Sequence, residues 1–67
     1  MITISLNGEQ QTMPAGSSLA DLLAKFELDP KKLALELNYE IIPLTNFTSC
    51  QLHEGDKIEI VEFVGGG

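Results

Sequence analysis

The chain has 67 residues, about half the length of an ordinary domain, so it holds one domain with no room for a second catalytic or regulatory one. With 43% apolar and 21% charged residues it is too hydrophobic for a disordered segment, and it has no apolar run long enough to span a bilayer. Acidic residues outnumber basic ones 10 to 4, for a net charge of -6, and every basic residue is a lysine. That balance excludes nucleic acid as a partner, because phosphate binding needs a basic stripe.

A body this small buries only about 60% of its unfolded surface, which leaves little volume to enclose a substrate pocket of the usual ~300 Å³. A self-contained enzyme is therefore not expected. Cys50 is the one cysteine and cannot close an internal disulfide, and no charged segment followed by an apolar one opens the chain, so the cytoplasm is the expected location.

Ile2, Ile4 and Leu6 alternate with Thr3 and Ser5, the period of a strand with one apolar face. Asn7-Gly8 supplies the positive φ angles of a type I′ turn, so Glu9 to Met13 returns as the second arm of a hairpin. That arm is polar and belongs at an edge. Pro14-Ala15-Gly16 interrupts the ladder, and Leu19, Leu22, Leu23 and Phe26 then show the i, i+3, i+4, i+7 spacing of a helix. Ser17 or Ser18 caps its start, Asp21 suits its dipole, and Asp29-Pro30 closes a segment of about three turns.

Leu33, Leu35 and Leu37 alternate as a strand, although Leu33 and Leu37 also fit a helical pair. Asn38-Tyr39-Glu40 reads as a turn, Ile41-Ile42 as a short buried strand stopped by Pro43, and Leu44 to Leu52 as irregular. Glu54-Gly55-Asp56 is a further turn. Lys57 to Val64 is the most strand-like segment and is apolar enough to lie centrally beside the first strand. The expected architecture is α+β, one helix packed across a small mixed sheet.

The last strand changes phase: Ile58 and Ile60 share one face, whereas Val61 and Phe63 fall on the other. Either the Leu44 to Leu52 loop or a bulge accommodates them, or they form an apolar docking surface. Gly65-Gly66-Gly67 follow at once. Extended, three residues reach about 10 Å, and glycine backbone enters channels too narrow for other residues. Such an arm suits a carboxylate delivered to another protein's active site, where an ATP-using partner must supply its leaving group. The alternative is a frayed terminus.

Cys50 and His53 have the spacing of a nucleophile and base or of half a metal site, but the remaining ligands or oxyanion donors are missing, so no metal and no catalytic residue is expected. Glu54, Asp56, Glu59 and Glu62 read as a solvated acidic rim, since no calcium-loop spacing organises them.

Taken together, Asn7-Gly8-Glu9, Leu-Ala-Asp-Leu-Leu at residues 19–23, Ile41-Ile42-Pro43, Gly55-Asp56 and the ending Glu-Ile-Val-Glu-Phe-Val-Gly-Gly-Gly at 59–67 resemble the ThiS family, sulfur carriers of thiamine biosynthesis. The resemblance spans essentially the whole chain. It implies a ubiquitin-like β-grasp domain over 1–64 and a flexible glycine tail over 65–67. It also implies that the Gly67 carboxylate is adenylated by a ThiF-type enzyme, converted to a thiocarboxylate, and presented to a ThiG-type thiazole synthase. Gly65, Gly66 and Gly67 would enter the partners' active sites, and Val61, Phe63 and Val64 would dock. The carrier itself would need no cofactor and be a monomer when free. The small subunit of molybdopterin synthase, which shares the fold and a Gly-Gly end, is the alternative carrier class, and a plain β-grasp interaction module is the non-carrier one.

Overall fold

The computed structural model describes residues 1–63. Alternating apolar residues form β1 (Ile2–Leu6), and the Asn7-Gly8 turn, with φ of 49° and 84°, returns the chain as β2 (Glu9–Met13) in antiparallel register. Helix α1 spans Leu19–Lys25. Next come a 3-10 turn at Pro30–Lys32, β3 (Leu33–Leu37), β4 (Glu40–Ile41), a second 3-10 turn at Leu44–Asn46 and β5 (Lys57–Glu62).

These five strands form one mixed sheet in the order β2-β1-β5-β3-β4. β5 lies at its centre, parallel to β1 and antiparallel to β3, and polar β2 is an edge, both as its sequence predicts. A single helix over such a sheet is the expected β-grasp architecture. Ile4, Leu35, Ile58 and Ile60 from the sheet meet Leu19, Leu22 and Leu23 from α1, with Phe47 and Leu52 closing the core.

The start of α1 explains where the irregular segment goes. Ser18 is the N-cap and forms a reciprocal capping box with Asp21: the Asp21 N–H donates to Ser18 Oγ at 3.1 Å, and the Ser18 N–H donates to Asp21 Oδ2 at 2.8 Å. The two remaining free amides are taken by the 44–52 loop, Leu19 N–H donating to the Cys50 carbonyl and Ala20 N–H to that of Phe47, both at 3.0 Å. The loop is thereby fixed on the helix side of the sheet.

Two expectations need correction. The helix is seven residues long, about two turns, and it ends before Asp29-Pro30. Glu27 has φ 55°, its N–H donates to the Ala24 carbonyl, and the Leu28 N–H reaches back to the Leu23 carbonyl. That is a Schellman termination, which bends Leu28 back against the core. Likewise the strand expected at Ile41-Ile42 is Glu40–Ile41, and it is exposed because it forms the outer edge of the sheet.

Candidate functional site

β5 keeps strict register with β3 from Leu37↔Ile58 to Leu33↔Glu62, with no extra residue on either strand. The phase change in its sequence is therefore not absorbed by a bulge. Ile58 and Ile60 point into the core, while Val61 and Phe63 point to the opposite face and are 65% and 53% exposed. Nor does the 44–52 loop shield them, because its carbonyls are engaged at the start of α1.

Val61 stands opposite Ala34, and one step along the same face Glu36 stands between Glu59 on β5 and Ile41 on β4. Ile41 is 75% exposed, so the outer face carries Val61, Phe63, Ile41 and Ala34 around two glutamates. Isolated exposed apolar residues are ordinary, but a group of them on one sheet face marks a contact surface. Two like charges directly opposite each other weaken a sheet, so the Glu36–Glu59 pair has no evident stabilising role in the free domain. The sequence reading missed Ile41 because it took an apolar pair before proline as buried; the pairing with Glu36 sets its side.

The two hairpin turns hold β5. Asn38 and Tyr39 form the β3–β4 turn with φ of 51° and 70°. The Asn38 N–H donates to the Lys57 carbonyl at 2.7 Å, and Asn38 Oδ1 accepts from the Lys57 N–H at 2.9 Å. From the other side, Asn7 Oδ1 accepts from the Ile60 N–H at 2.7 Å and Asn7 Nδ2 donates to the Ile60 carbonyl at 3.2 Å. Further along, the Phe63 N–H donates to the Lys32 carbonyl at 2.8 Å. Of the residues expected to act, Val61 and Phe63 are placed on this face; Val64, Gly65, Gly66 and Gly67 lie outside the described residues, as does the 64/65 boundary.

The other candidates have structural partners. Cys50 is half-buried, and burial, with a smaller push from the Asp56 charge, holds its thiol above the usual range. The backbone N–H of His53 donates to Asp56 Oδ2 at 2.8 Å, the Asn38 amide donates to Asp56 Oδ1 at 3.0 Å, and the Thr3 N–H donates to Glu54 Oε1 at 2.9 Å. These carboxylates tie the turn before β5 to its neighbours. Lys57 lies over the Tyr39 ring, 4.7 Å from its centre, and donates to its hydroxyl at 2.7 Å, a hydrogen bond that raises the lysine pKa. Among the described residues no group of three or more His, Cys, Asp or Glu is placed to hold a metal. On the helix side an open groove of about 310 Å³ runs between α1 and the 44–48 segment. It reaches the volume that chain length argued against, but Ala20, Leu23, Ala24, Leu28, Leu44 and Phe47 line it without a titratable group.

The ThiS family model matches residues 4–67. The sulfur carrier protein ThiS of Bacillus subtilis is 38% identical over 65 residues, covering 96% of this chain and 98% of that protein. A thiazole synthase of Paramagnetospirillum magneticum is 39% identical over 62 residues, covering 92% of this chain but 19% of its own length, so the chain spans about a fifth of that relative. The crystal structure of a thiamine biosynthesis protein (ThiS) from Geobacter metallireducens superposes with a TM-score of 0.82 at 25% identity, covering 98% of this chain and all of that one.

Proposed function

The chain belongs to the ThiS family, and on that premise we propose that it is a sulfur carrier of thiamine biosynthesis, a protein substrate and not an enzyme. The carboxylate of Gly67 attacks the α-phosphate of ATP on a ThiF-type adenylating enzyme, and pyrophosphate leaves. Hydrosulfide delivered there displaces AMP from the acyl carbon and loses its proton, leaving a thiocarboxylate, which is anionic and nucleophilic at neutral pH. A ThiG-type thiazole synthase takes the sulfur. The partners supply the catalytic groups and stabilise the acyl-transfer transition state. Gly65, Gly66 and Gly67 thread into their active sites because glycine backbone occupies the least width. Val61, Phe63 and Val64 dock, and Ile41 extends that surface.

The observation that carries this reading is the outward placement of Val61 and Phe63 at the end of an unbroken β5, immediately before the glycine tail. The match to a fifth of a thiazole synthase supports the second partner, since it places a carrier-like segment in one polypeptide with that enzyme. No helix among the described residues is long and apolar enough to cross a membrane; the proposed carrier works in the cytoplasm and is a monomer when free.

Intact mass of the protein purified from its own cells tests the proposal, with fragmentation to locate any change. The expected result is exchange of one oxygen for sulfur on Gly67. An unmodified terminus in cells that must make their own thiamine overturns it and favours a β-grasp interaction module.

A further inference from the structure

We propose that Asn7 is a positioning residue for sulfur-carrier activation: its side chain takes the place of a missing strand beside Ile60 and so fixes the docking end of β5. The inference rests on the carrier reading above and deepens it.

β1 pairs with β5 only as far as Leu6↔Ile58, because the chain then turns away at Asn7-Gly8 into β2. In a strand, alternate residues direct N–H and C=O to the same side, and on β5 the β1-facing groups belong to Ile58 and then Ile60. The Asn7 backbone N–H serves the Ile58 carbonyl at 2.9 Å. Ile60 comes next and has no backbone partner on that side among the described residues. The Asn7 carboxamide supplies what a peptide would, an acceptor 2.7 Å from the Ile60 nitrogen and a donor 3.2 Å from its oxygen. Val61 follows at once, with Phe63 two residues on, and beyond Ile60 the described contacts of β5 are with β3 and Lys32 alone. Asn7 is thus the last hold on the β1 side before the docking residues.

The position also explains why asparagine and not glycine opens this turn. Its φ of 49° suits glycine equally well, so the backbone does not demand a side chain here. Only the carboxamide reaches across.

The test uses Asn7→Gly, which keeps the turn and removes both side-chain bonds, beside Ile4→Val, a core control that costs about 0.5–1.5 kcal/mol and keeps both of those hydrogen bonds to Ile60. Each is assayed as substrate in ATP–pyrophosphate exchange with the adenylating enzyme, at a temperature where all the proteins are folded. Asn7→Gly is expected to raise KM for the carrier on the order of tenfold, the effect of about 1.4 kcal/mol, with kcat unchanged. Ile4→Val should leave both unchanged, and the Ile60 amide should lose hydrogen-exchange protection in Asn7→Gly alone. Asn7→Asp, which keeps the acceptor and loses the donor, should fall between and serves if Asn7→Gly fails to fold. A KM for either Asn7 variant that moves no further than the control's overturns the role. A wild-type chain that supports no exchange overturns the carrier reading and this inference with it, whereas an active wild type beside unaffected Asn7 variants overturns only the latter.

Discussion

Glu27 ends the helix with φ 55°, a backbone region that costs an ordinary L-residue about 1–2 kcal/mol and glycine almost nothing. Part of that gain returns as greater freedom of the unfolded chain, so Glu27→Gly is expected to stabilise the domain by about 0.5–1 kcal/mol net. Thermal unfolding should show it as a rise of about 4–7 °C. Cys50 gives a second prediction at this scale. Burial disfavours its thiolate, so the folded pKa lies above the unfolded one. Its contribution to stability is whole below the ordinary thiol range and is lost as pH rises through the folded value. Alkylation of the native protein by iodoacetamide near pH 8 should accordingly be slower than that of the same thiol in urea. Residues of this kind were only partly legible in sequence. Ser18 and Gly8 act through near neighbours and were readable, whereas Asn7 was read as a turn residue alone because its partner Ile60 is 53 positions away. A polar side chain where glycine would serve the turn was the available clue.

At the scale of elements, the outer face of β3, β4 and β5 sets stability against contact. The Glu36–Glu59 pair repels across the ladder, so Glu36→Gln should stabilise the free domain by about 0.2–1 kcal/mol in denaturant unfolding. If this face meets a cationic surface on the adenylating enzyme, the same change should weaken the complex, giving opposite signs in the two assays. Val61→Thr, which keeps the β-branch and adds no charge, should leave the unfolding midpoint nearly unchanged, since the residue is 65% exposed, and should weaken adenylation about tenfold. A substitution that unfolds the domain instead would show that Val61 belongs to the core. β1, β3 and the start of β5 were legible because apolar residues recur at every second position along them, and β2 because the Asn7-Gly8 turn precedes it. The 44–52 segment was not, because its order comes from backbone carbonyls that complete the start of α1, and main-chain contacts leave no trace in side-chain periodicity. The helix length was overstated for a related reason: Phe26 continues the apolar spacing of Leu19, Leu22 and Leu23, but it reaches the core as the C-cap ahead of a Schellman turn.

For the whole molecule, the net charge of -6 predicts that association with an activating enzyme bearing a basic surface slows as ionic strength rises, measurable by stopped flow. On the carrier reading both partners take the same tail at Gly67, so they exclude one another. Excess thiazole synthase should therefore inhibit adenylation competitively with respect to the carrier. The central position of β5 has its own consequence for biosynthesis. The strand that joins the two outer hairpins comes last in the chain, so a nascent chain that stops before Lys57 holds both hairpins and α1 but lacks the strand between the hairpins in the sheet. The segment that completes the sheet leads directly to Gly67. On the carrier reading, an enzyme that docks on the outer face to reach Gly67 meets that face only after β5 has joined the two hairpins, so ATP is spent on assembled sheets and not on partly folded ones.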